Sequence, residues 1–318
     1  QASADTVKAA WYIAKYTAED DFAGLPEPED LATEFPDLKL YKPWPIETAQ
    51  AIELALQAEA AAVGYNKAIS NSEGASVDSN TGRFVLANSL GFMGGYRYSR
   101  HGMSVAVIAG KGDRMQRDYW YTSQRYPELA SPQSLGEYAA QRVLARLSAK
   151  RIATGKYPVL FEAPLAIGLL GSFTQAISGG ALYRKASFLC DSLGQSVFAG
   201  HLHLREDPFI KGAMGSSAFD DEGVRTQARD LVRAGELQGY LLSSYTARKL
   251  GMKTTGNAGG SHNLRLYSDK TQTSDDFAAM LKKLGTGLLV TELMGQGVNY
   301  VTGDYSRGAA GYWVENGV

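Results

Sequence analysis

Between residues 67 and 121 the chain abandons helical spacing for short runs of Val, Tyr, Phe and Ser, broken at Gly74, Asn80-Thr81-Gly82, Gly94-Gly95 and Gly110-Lys111-Gly112. Branched and aromatic side chains suit a pleated, half-buried surface, and Gly and Asn suit tight turns, so this stretch predicts an antiparallel meander. Helical patterns flank it. Val7, Ala10, Trp11 and Ala14 recur at helical spacing, and Pro45 precedes an Ala-rich amphipathic run at 46–63 that stops at Gly64. Residues 24–45 hold five prolines, which remove backbone donors, so they predict a wrapping loop or linker. After the meander, Ser134 with Glu137 three residues on predicts a capping box and a buried helix to about Leu147.

The second half is again mixed. Residues 157–161 read as a strand, and Pro164 suits the first turn of an apolar helix ending at Gly179-Gly180. Residues 228–232 and 237–242 predict a hairpin around 233–236, followed by a short helix, 245–250, closed by Gly251. Ser274 is placed to cap a helix to Leu284, with strands expected at 287–293, 298–302 and 311–314. No repeat with a period of about 20–50 residues recurs. Antiparallel strands outnumber any regular βαβ alternation, so the expected class is α+β, mostly antiparallel mixed sheets with packed helices. The expected division is 1–65, the helical part of a truncated N-terminal α/β domain plus the Pro-rich connector, and 66–318, a C-terminal α+β domain. Glu315-Asn316-Gly317 reads as a turn awaiting a further strand, and both ends read as cuts within a longer chain.

Charge excludes some partners. A formal net charge of -1, with Lys and Arg dispersed, leaves no electrostatic footprint for nucleic acid or a membrane surface. The apolar stretches, such as 159–170, are too short and interrupted to span a bilayer, and no basic-then-apolar signal leads the chain. The single Cys190 rules out an intrachain disulfide framework and suits a reducing compartment, so the protein is expected in the cytoplasm.

Generic chemical motifs mostly fail. The Gly-Lys pairs at 110/111 and 155/156 lack the rest of a phosphate loop, and Gly295-x-Gly297 meets Tyr300 where a dinucleotide fingerprint needs its third Gly. No Gly-x-Ser-x-Gly elbow occurs. His201 and His203 alternate with Leu202 and Leu204, so on a strand both imidazoles would face one side and could grip one metal, with Glu206 or Asp207 curling back as a third ligand. The plainer reading is a solvated strand face with the leucines buried opposite. Asp220-Asp221-Glu222-Gly223 could raise a carboxylate pKa for acid–base work or bind a cation, but acids before Gly are ordinary turn chemistry, and a turn cap is the favoured reading. The loop 254–263, with Thr255, Gly256, Asn257, Gly259, Gly260, His262 and Asn263, lets backbone approach a ligand closely and is the candidate binding segment; its alternative is a flexible loop.

Several segments resemble one family. Asp220-Asp221-Glu222-Gly223-Val224, Gly239-Tyr240-Leu241-Leu242, Ala247-Arg248-Lys249-Leu250-Gly251 and Thr255-Gly256-Asn257 occur in the order and spacing of the TldD/PmbA family, once called modulators of DNA gyrase. The tail, from Thr291-Glu292-Leu293-Met294-Gly295 through Val301-Thr302-Gly303-Asp304-Tyr305 to Trp313-Val314-Glu315, looks like its PmbA (TldE) branch, as do Tyr183-Arg184-Lys185 and Asp191-Ser192-Leu193-Gly194. The resemblance implies a two-subunit peptidase in which the TldD-type subunit carries His-Glu-x-x-x-His on a helix, two imidazoles holding zinc and the Glu activating its water. Aligned on the apolar helix after the 157–161 strand, those places hold Gly171, Ser172 and Ala176, none able to supply an imidazole or carboxylate. The resemblance therefore implies no catalytic or metal residues in this chain, zinc in a TldD-type partner, and peptide substrates held by strand-like contacts. Its competitors are an independent metal-dependent peptidase using His201 and His203, and a stand-alone peptide-binding regulatory protein. A homodimer is the assembly open to the isolated chain.

Overall fold

The computed structural model describes residues 2–318. The expected class holds: the chain is a mixed α and β fold dominated by antiparallel pairing. After α1 (Ala2–Tyr16) and the Pro-rich connector comes α2 (Thr48–Gly64), then β1 (Ile69–Ala87), β2 (Met93–Ala109) and β3 (Gln116–Gln124), an antiparallel sheet in that order. This replaces the expected meander of short strands with one long hairpin of 19 and 17 residues plus a third strand. The misread punctuation has a physical use. Gly82 and Tyr98 are cross-strand partners, and a Cβ on Gly82 would lie 2.4 Å from the Tyr98 ring, so the ring lies over the glycine instead of the chain turning there. Gly94 and Gly95 likewise pair within the hairpin, while Gly74 (φ +103) sits at a bulge.

One sheet face carries Met103, Val105, Val107 and Ala109 and is covered by α2 and α3 (Pro132–Ala145). Gly136 lets the two helices close together: a Cβ there would stand 2.3 Å from the Ala58 carbonyl oxygen. The helix α3 starts earlier than expected, because Ser131 caps it by accepting from the Ser134 amide, and Pro132 occupies the first turn.

The second core is built by α4 (Ala163–Ala176), α5 (Gly179–Tyr183), α6 (Ser244–Lys249) and a four-stranded antiparallel sheet of β5 (Leu202–Asp207), β6 (Arg229–Arg233), β7 (Glu236–Leu237) and β8 (Asn263–Ser268), ordered β7-β6-β5-β8. Its centre holds Phe173, Ile177, Leu204, Leu231, Leu237 and Leu242. Gly179 and Gly180 do not end α4. Ser178 caps a new helix through the Ala181 amide, and the glycines form its first turn because a Cβ on Gly179 would meet Thr246 Oγ1 at 2.2 Å. The expected hairpin at 228–242 shortens: Ala234 (φ 49) and Gly235 (φ 81) make the turn, only Val232–Leu237 and Arg233–Glu236 pair, and 238–242 runs inward.

β4 (Val159–Phe161) pairs in parallel with β9 (Gly287–Met294), whose other side pairs with β12 (Gly308–Val314); β10 (Val298–Asn299) and β11 (Asp304–Tyr305) form a small hairpin. α7 (Phe277–Leu284) is capped by Asp276 through Ala279 N, not by Ser274. Glu315 and Val318 exchange backbone hydrogen bonds around Asn316 and Gly317, so the expected turn forms. The connector wraps as expected, burying Leu31, Ala32, Leu38 and Leu40. Its Phe35 joins Phe84, Phe92, Tyr96 and Phe219 in an aromatic cluster that ties the hairpin to the Asp220 turn. Among the described residues no helix is long and apolar enough to cross a membrane.

Candidate functional site

A pocket of about 260 Å3 opens where α4 ends, between α5, α6 and the Gly-rich loop. Thr174 and Gln175 contribute from α4, Gly179 and Gly180 from α5, Thr246 from α6 with its capping residue Ser243, and residues 257–261 close it. Backbone bonding fixes this geometry: Gly179 N donates to Leu241 O at 2.8 Å, Leu241 N to Ile177 O at 3.0 Å, and Thr255 N to Leu242 O at 3.1 Å. Among the described residues the lining holds no titratable side chain, so the pocket offers amides, hydroxyls and the two carboxamides of Gln175 and Asn257 rather than a nucleophile, a base or a metal ligand.

The loop is held from below by a buried ion pair. Glu206, 1% exposed, accepts through Oε1 from Asn257 Nδ2 (2.8 Å), His262 N (2.9 Å) and the His262 ring (3.0 Å), and through Oε2 from Arg229 Nε (3.0 Å). Arg229 also donates to Tyr240 O and to Asn257 Oδ1. Burial disfavours ionising Glu206, but the His262 hydrogen bond and the Arg229 charge outweigh it and hold the carboxyl below its ordinary range. A second carboxylate acts from the side. Asp220 accepts from the amides of Glu222, Val224 and Ala258, each at 2.9 Å, and burial pushes its pKa up to about 6. Glu222 in turn accepts from Ser244 N at the start of α6. The acidic run is thus a turn cap with a second duty, pinning the Gly-rich loop.

Of the loop residues singled out by sequence, Asn257, Gly259 and Gly260 line the pocket, whereas the His262 ring is turned inward to Glu206. Thr255 braces Asn257 Oδ1 and Leu242 N, and Asn263 begins β8 with its side chain on Asp207, Gly215 and Ser216. Gly256 (φ +67) passes so close to Arg225 that a Cβ would lie 2.4 Å from its carbonyl oxygen. Sequence reading missed Glu206 and Arg229 as the brace. One signal was present: Leu202, Leu204 and Glu206 share strand parity, so a carboxylate stands among inward residues.

Each remaining candidate has its own surroundings. His201 Nδ1 meets Ser268 Oγ at 2.9 Å, while His203 bonds Asp269 (3.0 Å), accepts from Ala234 N and stacks on Tyr267. Glu206 does not curl back to them; it faces the opposite side. Among the described residues no group of three or more His, Cys, Asp or Glu side chains is placed to hold a metal. On α4, Gly171 faces open space, Ser172 Oγ donates to Gly168 O, and Ala176 is buried in the second core.

Residues 154–318 match the family model described as the PmbA/TldA metallopeptidase C-terminal domain, and 41–147 match that of the central domain. The chain is 48% identical over 318 residues to Metalloprotease PmbA of Escherichia coli O157:H7, covering 100% of this chain and 70% of that protein. Among solved structures it is similar to a Bacteroides thetaiotaomicron protein named as a modulator of DNA gyrase, with TM-score 0.89, 29% identity, and coverage of 96% of this chain and 69% of the other. TldE from Thermococcus kodakarensis shares the fold, with TM-score 0.76, 21% identity, and coverage of 99% and 73%.

Proposed function

This chain belongs to the PmbA/TldD metallopeptidase family, and on that premise we propose that it is the non-cutting, peptide-holding member of a two-subunit peptidase. In this reading a TldD-type partner brings zinc, and the present chain completes the chamber and presents unfolded peptide to it in the cytoplasm. The observation that carries the proposal is the neutral pocket at the end of α4. Its lining lacks any acid, base or thiol, and the helix offers Gly171, Ser172 and Ala176 where a zinc-binding helix needs imidazoles and a carboxylate. Those residues do not fit a metal, so no chemical step is assigned to them.

The pocket is suited to holding. Peptide backbone presents alternating donors and acceptors, which hydroxyls, exposed amides and the exposed Gln175 carboxamide can satisfy without reading side chains. A rigid loop makes such binding less costly, and the Glu206–Arg229 brace supplies that rigidity. The competing independent metallopeptidase finds less support, because His201 and His203 each have their own partner.

The test is peptidase activity and bound zinc for the full-length protein, alone and mixed with a TldD-type subunit, on an unfolded peptide. Activity and zinc only in the mixture are expected. A zinc-loaded, active single chain would overturn the reading, and failure of the two proteins to associate would favour a stand-alone peptide-binding module.

A further inference from the structure

A second concavity, about 900 Å3, lies between the end of α3 and the β12-β9-β4 sheet, away from the pocket described above. Its floor is β9 and β12, where small residues at 309–311 keep it deep; Gly311 cannot carry a side chain, since a Cβ would fall 1.8 Å from Leu289 O. Tyr157 and Trp313, edge to face at 5.0 Å, form an aromatic wall. The opposite side is cationic, with Arg142, Arg146, Lys150 and Arg151.

These cations are not equivalent. Arg142 is fully engaged, bonding both Glu162 oxygens and Thr291 O at 3.1 Å, with Asp118 3.4 Å away and its guanidinium over Trp120. Arg146 bonds Glu292 through Nη1 and lies 3.6 Å from Asp118, and its buried Nε has no hydrogen-bond partner among the described residues. The Arg146 guanidinium thus keeps donor capacity that its two carboxylate neighbours do not use. Lys150 and Arg151, both exposed, have no ion-pair partner among the described residues. The carboxylates therefore cluster at the inner end, and uncompensated positive charge collects at the outer end.

We propose that this groove binds an extended, acidic peptide segment, its carboxylates meeting the part-exposed Arg146 guanidinium, Lys150 and Arg151 and its neutral residues lying along 309–311 against Tyr157 and Trp313. Charge-assisted bonds from guanidinium to carboxylate are the strong class, and aromatic walls hold extended chains by area. A nucleic acid fits less well. Its phosphates repeat without interruption and would be carried onto Asp118, Glu162 and Glu292, and a net charge of -1 gives no wider positive field.

The experiment uses the full-length protein and a fluorescein-labelled peptide ending in a run of glutamates, with its glutamine analogue and a single-stranded oligonucleotide as competitors, read by anisotropy and by tryptophan emission. The glutamate peptide is expected to bind about tenfold or more tightly than the glutamine analogue, to weaken with salt, and to change emission in a way that Trp313→Phe abolishes. Lys150→Glu with Arg151→Glu alters only exposed side chains and is expected to cut affinity about tenfold or more while leaving the melting curve unchanged. Equal affinity for the two peptides, indifference to the charge reversal, or an emission change that survives Trp313→Phe would each overturn the proposal. Tighter binding of the oligonucleotide would also overturn it and assign the groove to phosphate. No partner subunit takes part, so failure here leaves the peptidase-subunit reading standing.

Discussion

Replacing Glu206 by Ala strips the Gly-rich loop of its brace, and the cost can be worked from the contacts. Oε2 is the carboxylate partner of Arg229, whose side chain is only 19% exposed, and Oε1 serves three further donors on Asn257 and His262. Breaking a buried pair from one side costs about 3–5 kcal/mol, because the other charge is left without compensation. We predict a loss of about 4 kcal/mol for Glu206→Ala, and about 2 kcal/mol for Glu206→Gln, which keeps the shape and one acceptor. Removing both charges should cost less than removing one. In Glu206→Leu with Arg229→Met no charge is stranded, and of the acceptors Arg229 leaves behind, Asn257 Oδ1 keeps the single Thr255 hydroxyl donor at 2.8 Å while Tyr240 O loses its Arg229 donor. The assay is urea unfolding followed by circular dichroism at pH 7, with amide exchange in 254–262 to localise the effect. The pH dependence has a defined sign: the Glu206 pKa is lowered on folding, so its contribution is complete above its unfolded value near 4.5 and is lost as pH falls through the lower folded value. A loss below about 1 kcal/mol for Glu206→Ala, or a double variant less stable than Glu206→Leu alone, would refute the idea that this pair braces the loop.

Asp220 carries the opposite sign: burial raises its pKa from 3.8 to about 6, so the folded state binds the extra proton and the stability from this group falls by about 1 kcal/mol between pH 5 and pH 7. Asp220→Asn should flatten that segment of the stability–pH curve, which denaturant titrations at several pH values will measure. Gly136→Ala forces a methyl within 2.3 Å of Ala58 O and should lower stability by about 2 kcal/mol, seen as a lower melting temperature with unchanged helical signal. Phe219→Ala removes the ring shared by Phe35, Phe84, Phe92 and Tyr96 and should cost about 3–4 kcal/mol, with faster proteolysis of the connector as the local readout.

What sequence could and could not reveal divides along the range of the interactions. Helix α2, the strand–helix unit β4–α4 and the turn at Asn316-Gly317 were legible because spacing, Pro and Gly act within a few residues. The caps of α3 and α7 were displaced to Ser131 and Asp276 by choices among neighbouring cap-forming residues, a local ambiguity. The larger misreadings were glycines whose reason lies across the structure: Gly82 beneath Tyr98, Gly179 against Thr246, Gly136 against Ala58. Each looks like punctuation until its distant neighbour is known. The candidate site follows the same division. Its Gly-rich loop was visible as composition, but the carboxylates that hold it, Glu206 and Asp220, reach Asn257, Ala258 and His262 across separations of 38 to 56 residues. Those carboxylates point into the scaffold and away from the pocket, so in this chain acidic side chains mark where the loop is anchored, while the lining that meets a ligand is neutral. A search for chemistry by acid and histidine content leads to the foundations of this site, and its surface becomes visible only once the loop that those groups hold has been placed.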